Sequence, residues 1–109
     1  MTKTRANQEI KKITKQIVEN YEPERIILFG SYAYGKPNLS SDVDLLVIKK
    51  TRRRFGSRLF DVAKVISSEM GTDILVYTPK EWESGLKKKY YFFKEINNKG
   101  KLIYEKKYK

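Results

Sequence analysis

Three short apolar segments, spread along the chain, constrain the possible folds more than any other feature of the sequence. They occupy residues 25–29, 42–48 and 72–77. Apolar runs of this length, bounded by turn residues, are typical of strands that are buried on both faces. Because amphipathic helical patterns alternate with them, the sequence predicts an α/β fold, a small mixed β-sheet flanked by helices. A chain of 109 residues is expected to form one domain, residues 1–109.

The first part of the chain contains one clear helical pattern. Apolar residues recur at spacings of three and four over residues 7–21, which predicts an amphipathic helix that Pro23 ends. After the first strand, residues 31–41 are rich in glycine, proline, serine and asparagine. We expect a turn-rich loop there, with one helical turn near residues 32–34.

The second part contains two further helical patterns. One predicts a helix over residues 55–70, with Gly71 as its C-terminal stop. The other predicts a helix over residues 81–97, ended by Gly100 and followed by a short strand over residues 102–104.

The absence of two residue types excludes several classes of enzyme. The chain has neither cysteine nor histidine, which excludes disulfides, thiolate zinc sites and nucleophiles activated by histidine. Carboxylates, lysines, tyrosines and hydroxyls remain as reactive groups. Any bound metal is expected to be a hard cation such as Mg²⁺ or Mn²⁺, which prefers oxygen ligands.

The chain has no apolar run approaching the roughly 20 residues that a membrane span needs. Its first residues are polar and are not followed by the apolar segment of a signal peptide. We therefore expect a cytoplasmic protein with no membrane partner.

Positive charge is concentrated near the C-terminus. The formal net charge is +11, and residues 86–109 contain nine lysines against Glu95 and Glu105. A charged surface typical of proteins from hot environments and a nucleic-acid footprint are both compatible with this pattern. The aromatic residues 90–93 lie among these lysines. For them, core packing beneath a basic outer face is favoured over stacking on nucleic-acid bases.

Three of the four aspartates stand at the starts of predicted strands, where aspartate is depleted. Asp42 and Asp44 project from one face because strand side chains alternate. Two carboxylates held this close repel each other unless a cation lies between them. If the strand of Asp73 pairs beside that of Asp44, three carboxylates can hold one or two metal ions. An Asx turn is an alternative role for Asp42, and it leaves Asp44 unexplained.

Gly30 and Ser31 follow the first predicted strand. A glycine lets an anion approach the backbone closely, and the N–H groups of a following helical turn and the Ser31 hydroxyl are suitable phosphate donors. The pair therefore indicates a phosphate-binding loop, although the same dipeptide ends many ordinary strands.

The combined pattern resembles a known family. Residues 29–35 and 40–47 contain Gly-Ser, ten residues, and Asp-x-Asp, as in the minimal nucleotidyltransferases of the DNA polymerase β superfamily, which include antitoxins. The similarity extends over roughly residues 10–105. The resemblance implies a polymerase-β-like nucleotidyltransferase core and a two-metal site with Mg²⁺ or Mn²⁺. The metal ligands and catalytic residues that it implies are Asp42, Asp44 and Asp73, with Asp73 also helping to deprotonate the acceptor. It implies a nucleotide site formed by Gly30, Ser31, Ser41 and Lys36.

One departure from the family pattern affects the nucleotide site. Many relatives have arginines where this chain has Tyr32 and Tyr34. The triphosphate charge would then be neutralised by Lys36 or by the arginines at positions 52–54. For these arginines, a solvated loop or helix start is the favoured interpretation.

The resemblance also implies a reaction and a partner. The expected activity is transfer of AMP from ATP or another nucleoside triphosphate to a hydroxyl, with a tyrosine of a helical HEPN-domain toxin as the leading acceptor. The chain would then be the antitoxin of a toxin–antitoxin pair. Two alternatives remain: a binding antitoxin without catalysis, and a nucleotidyltransferase subunit acting on RNA or a small molecule. Nucleic acid is a possible but not favoured partner.

Overall fold

The computed structural model describes residues 2–38 and 41–108. Ser40, which belongs to the family-like motif, therefore lies outside the described residues. The helices and strands, in chain order, are α1 Lys3–Tyr21, β1 Arg25–Phe29, α2 Ser31–Tyr34, β2 Val43–Ile48, α3 Phe55–Ala63, β3 Thr72–Tyr77, α4 Pro79–Lys87, α5 Tyr91–Lys99 and β4 Lys101–Glu105.

The four strands form one mixed sheet in the order β3-β2-β1-β4. Strand β1 is antiparallel to both of its neighbours, β2 and β4. Strands β2 and β3 are parallel, with register from Val43↔Thr72 to Ile48↔Tyr77. The predicted α/β class, with a small mixed sheet flanked by helices, is confirmed.

Helices cover both faces of the sheet, so the alternating side chains of the strands enter two cores. On one face, Leu45 and Val47 pack with Ile13 and Ile17 of α1 and Val62 of α3. The core of the other face contains Ile27, Leu46, Ile48, Trp82 of α4 and Ile96 of α5. Burial on both faces explains why the strands are apolar runs rather than alternating sequences.

Helix α1 begins earlier than the sequence predicted. It starts at Lys3 because the Thr2 side chain caps it, accepting a hydrogen bond of 3.1 Å from the Arg5 N–H. It ends at Tyr21, as predicted, and Glu22 follows with a φ of 51°. No helix in residues 2–38 and 41–108 is long and apolar enough to cross a membrane.

The prediction of a helix over residues 55–70 was wrong at its C-terminal end. Helix α3 stops at Ala63, and Gly71 is not its cap. In the irregular segment that follows, two N–H groups instead bond to polar side chains of α1. The Ser67 N–H donates to Gln16 Oε1 at 3.0 Å, and the Glu69 N–H donates to Glu9 Oε2 at 3.2 Å. These bonds compete with continuation of the helix.

The prediction of one helix over residues 81–97 was also wrong, since two helices occupy this region. Helix α4 ends in a Schellman motif, in which the Tyr90 N–H bonds to the Gly85 carbonyl and the Lys89 N–H to the Leu86 carbonyl. Lys89 adopts the left-handed conformation, with a φ of 58°. The chain then turns and begins α5 at Tyr91.

The break between α4 and α5 changes the surroundings of the aromatic residues 90–93. Phe93 packs into the second core, 5.3 Å from the Trp82 ring. Tyr90, Tyr91 and Phe92 remain 53%, 77% and 43% exposed. The core-packing interpretation is therefore correct for Phe93 and wrong for the other three.

Candidate active site

The three aspartates lie where β2 and β3 begin. Asp73 is the register partner of Asp44 on the neighbouring parallel strand. Asp42 lies two residues before Asp44, directly preceding β2, and so projects toward the same face. Residues at matched positions of neighbouring strands also share a face. The pairing of β2 with β3 that the sequence analysis required is therefore present.

Asp44 lies in surroundings that oppose its charged form. Burial is the main cause that raises the pKa of this carboxyl group, and the negative charges of Asp73 and Asp42 raise it further. A side-chain hydrogen bond with Asp73 contributes in the same direction. Asp42 and Asp73 are exposed, whereas Asp44 is partly buried. A cation placed beside Asp44 would relieve this repulsion.

Two glycines lie directly against these carboxylates. A Cβ atom on Gly30 would lie 2.0 Å from Asp44 Oδ2, and one on Gly71 would lie 2.1 Å from Asp42 Oδ1. Gly30 also has a φ of 73°, which side chains other than glycine rarely adopt. The role of Gly71 was missed in the sequence analysis, which assigned it to the end of a helix.

The loop after β1 is shaped by its own hydrogen bonds. The Ala33 and Tyr34 N–H groups both donate to the Gly30 carbonyl at 3.0 Å, which forms the short helix α2. The Lys36 N–H donates to the Ser31 carbonyl at 3.1 Å. This bond holds the backbone of the exposed Lys36 next to that of Ser31. The predicted helical turn is confirmed, and Gly30 joins it to the strand that pairs with Asp44.

Ser41 occupies the other end of that loop. The Asn38 N–H donates to Ser41 Oγ at 2.8 Å, and the Ser41 N–H donates to the Asn38 carbonyl at 3.1 Å. These bonds hold the chain just before Asp42, so Ser41 contributes to the local geometry of the carboxylates.

The arginines at positions 52–54 lie at the other end of the sheet. They follow the C-terminal end of β2, whereas Asp44 stands near its N-terminal end. Four residues of extended strand separate Asp44 from Ile48, roughly 13 Å. Arg53 bonds to Asp61 at 2.9 Å and 3.0 Å. These arginines lie in the loop and N-cap position before α3, which agrees with the favoured interpretation.

The chemistry of the carboxylates suits a hard divalent cation, because three oxygen-donor side chains lie where β2 and β3 begin. As these side chains stand, however, no group of three or more acidic residues in residues 2–38 and 41–108 is arranged to hold a metal ion. Asp42 and Asp73 are exposed, so their side chains have room to rotate toward Asp44.

A groove of about 600 Å³ lies elsewhere, between α1 and the edge strand β4. Ile10, Thr14, Leu28 and Ile103 are among its lining residues, and no aspartate lines it. The candidate active site is therefore assigned to the carboxylates and not to this groove.

Comparison with known proteins assigns this arrangement to a family. The family model described as "Polymerase beta, Nucleotidyltransferase" matches residues 11–109. The chain belongs to this family. It is a nucleotidyltransferase of the polymerase β type, and its recognition from the sequence is confirmed.

Two similar proteins support the assignment. A protein of Methanocaldococcus jannaschii named "Putative protein adenylyltransferase" is 42% identical over 38 residues, which cover 35% of this chain and 44% of that relative. The chain thus matches less than half of the relative's length. The crystal structure of a "putative nucleotidyltransferase" from Sulfolobus solfataricus has the same fold, with a TM-score of 0.61. It is 19% identical, and the match covers 97% of this chain and 91% of that one.

Proposed function

We propose that this nucleotidyltransferase transfers AMP from ATP to a tyrosine hydroxyl of a helical HEPN-domain partner, as the antitoxin of a toxin–antitoxin pair. The single observation that carries the catalytic part is the pairing of Asp44 with Asp73 across β2 and β3, beside Gly30. The protein acceptor is supported by the name of the relative from M. jannaschii.

Each proposed site residue has a defined task in this reaction. Gly30 and Ser31 bind the β- and γ-phosphates, and Lys36 and Ser41 support that loop. Bound Mg²⁺ or Mn²⁺ ions, held by Asp42, Asp44 and Asp73, would neutralise the triphosphate and activate the acceptor hydroxyl. Asp73 orients that hydroxyl and accepts its proton. The hydroxyl oxygen then attacks the α-phosphorus, the bond to the bridging oxygen breaks, and pyrophosphate leaves.

The decisive experiment uses ATP labelled at the α-phosphate, Mg²⁺ and a HEPN-domain protein from the same organism as the proposed partner. Wild-type protein should label the partner and release pyrophosphate. Asp73→Ala should bind nucleotide but transfer little, because the acceptor hydroxyl is no longer positioned or deprotonated.

Three other results would change the proposal. If no label moves, and Asp42→Asn and Asp73→Ala bind and neutralise the partner as well as wild type does, the chain is a binding antitoxin. Label on RNA or on a small molecule would retain the chemistry and exclude the protein acceptor. Transfer that persists without divalent cations would exclude the metal site.

A further inference from the structure

Three exposed aromatic side chains on α2 and α5 are here called the aromatic platform. It consists of Tyr34 on α2 and of Tyr91 and Phe92 on α5. These side chains are 41%, 77% and 43% exposed. Neither core accounts for them, and the proposed reaction has so far given them no task.

The platform is joined to the carboxylate site through Phe29. The Phe92 ring packs edge-on against the Phe29 ring, with centroids 5.8 Å apart and planes at 89°. Phe29 is the register partner of Asp44 on the antiparallel strand β1. Directly opposed residues of an antiparallel pair project to the same face, with Cβ atoms about 5 Å apart. Phe92 therefore lies over the strand pair that contains Asp44.

The other two side chains are Tyr91, which precedes Phe92 on α5, and Tyr34 on α2. The Tyr91 hydroxyl donates to Glu95 at 3.0 Å, and Lys99 binds the same oxygen at 3.1 Å. The pKa of Tyr91 is raised mainly by its hydrogen bond with Glu95, and the charge of Tyr34 adds a small contribution in the same direction. The Tyr91 hydroxyl is thus anchored on Glu95, within α5.

The order of the strands determines which substrate the platform faces. Asp73, the proposed partner of the acceptor hydroxyl, is on β3, at one edge of the sheet. Phe29 is the last residue of β1, and Gly30 follows it. Since β2 lies between β1 and β3, Phe29 and Asp73 flank Asp44 from opposite sides. The platform therefore adjoins the phosphate-binding loop and is separated from the acceptor side by β2.

We propose that the aromatic platform binds the base of the nucleoside triphosphate by stacking. This inference rests on the proposed function, in which Gly30 and Ser31 hold the β- and γ-phosphates. Stacking on exposed aromatic rings accepts every base, because each base has a π-face, and larger bases gain more contact. The platform should therefore give a broad base specificity in which purine nucleotides bind more tightly than pyrimidine nucleotides.

The test separates binding of the base from binding of the phosphates. Affinities for a non-hydrolysable ATP analogue and for inorganic tripolyphosphate are measured with Mg²⁺ by calorimetry. Phe92→Ala should lower the affinity for the analogue roughly ten-fold or more and leave the affinity for tripolyphosphate unchanged. Ser31→Ala should lower the affinity for both ligands. Phe92→Leu preserves apolar packing on Phe29 without a ring and should also weaken only the analogue, so the test does not depend on the folding of the alanine variant.

Tyr90→Ala is the matched control, because Tyr90 is an exposed aromatic residue whose ring packs on Phe93, 6.1 Å away, and not on Phe29. It should bind both ligands as wild type does. An equal loss of affinity for the analogue in Tyr90→Ala and Phe92→Ala would overturn the proposal that the platform binds the base.

Other outcomes also overturn it, and they distinguish it from the proposed function. If both Phe92 variants bind the analogue normally, the platform is wrong while the nucleotidyltransferase proposal stands. If wild type binds neither ligand, both proposals fail. If the Phe92 variants bind the analogue normally but lose affinity for single-stranded oligoadenylate, the rings serve a polynucleotide and the mononucleotide site is excluded.

Discussion

At the scale of single residues, the carboxyl group of Asp44 opposes folding at neutral pH. Burial and the charges of Asp73 and Asp42 raise its pKa above the ordinary value of 3.8. A carboxyl group whose pKa is raised by folding binds its proton more tightly in the native state than in the unfolded one. Stability therefore falls as the pH rises from the unfolded pKa through the folded pKa, and it stays lower above that range.

The first prediction follows from this sign. In the presence of a chelator at neutral pH, Asp44→Asn should raise the melting temperature, because it removes an ionised group that the native state opposes. The gain should shrink as the pH falls through the folded pKa and vanish below about pH 3, where Asp44 is protonated in both states. Added Mg²⁺ and nucleotide should stabilise wild type and have less effect on the variant.

Asp61→Asn is the control with the opposite sign. The pKa of Asp61 is lowered, mainly by its hydrogen bond with Arg53 and also by the charge of Arg53. Its stabilising effect is present at neutral pH and is lost as the pH falls through the lowered pKa. This variant should therefore melt earlier than wild type at neutral pH. A drop of the melting temperature in Asp44→Asn would instead indicate a structural bond of that carboxylate.

The second prediction concerns Gly71. Gly71→Ala would place a Cβ atom 2.1 Å from Asp42 Oδ1. Because Asp42 is exposed, its side chain can rotate away without disturbing the core. We expect nearly unchanged stability in urea but AMP transfer reduced about ten-fold or more, since small displacements of positioned groups have large kinetic effects.

Gly56→Ala is the control for this prediction. A Cβ atom on Gly56, within α3, would meet nothing within 4 Å. This variant should gain about 0.4–1 kcal/mol of stability and retain full activity. Unimpaired transfer by Gly71→Ala would show that the observed position of Asp42 is not required for catalysis.

The sequence was sufficient to predict that the carboxylates lie together but not how they are packed. Strand alternation places Asp42 and Asp44 on one face, and a parallel neighbour places Asp73 beside them. The contact of Gly71 with Asp42 depends on the register of β3 against β2, which no local pattern of the sequence reports. The helical spacing of Ile66 and Met70 instead suggested that Gly71 ends a helix.

At the scale of secondary-structure elements, the strands were easier to predict than the helices. The boundaries of β1 and β3 agree with the apolar runs, because turn residues or proline bound them. The helical pattern after β2 continued to Met70 although α3 ends at Ala63. Its last apolar residues pack on the core from irregular backbone, two of whose N–H groups bond to side chains of α1. Such long-range hydrogen bonds leave no local signal.

The junction between α4 and α5 gives the third prediction. Lys89 occupies the left-handed position of a Schellman motif, where glycine is usual. Because a lysine gives no helix-stop signal, the sequence was interpreted as one helix. Lys89→Gly should stabilise the protein by about 0.5–1 kcal/mol, because relief of the left-handed strain exceeds the added entropy of the unfolded chain.

Lys88→Gly provides the comparison at the neighbouring position. Lys88 has a right-handed conformation, with a φ of −75°, so glycine brings only its entropic cost there. It should destabilise by about 0.5–1 kcal/mol. Both values are measured by urea unfolding. A loss of stability in Lys89→Gly equal to that of Lys88→Gly would contradict the left-handed turn.

At the scale of the whole molecule, the two cores share the central strands and are linked by a buried arginine. Arg58 of α3 is 7% exposed. It donates to the Val76 carbonyl of β3 at 3.2 Å and to Glu81 of α4 at 2.7 Å. Glu81 also accepts from the Thr78 N–H in the capping box of α4. Helices on opposite faces of the sheet are therefore connected by hydrogen bonds as well as by β1 and β2.

The final prediction is that residues 1–109 unfold as one cooperative unit. Trp82, the chain's single tryptophan, is 2% exposed in the core formed with α5. Its fluorescence therefore reports on that core, whereas far-UV circular dichroism is dominated by the helices, of which α1 has 19 residues and packs on the other face. Because loss of either core uncovers the same strands, the two signals should have the same urea midpoint. A fluorescence transition at lower urea than the dichroism transition would mean that α4 and α5 detach first, and the prediction of one domain would be wrong.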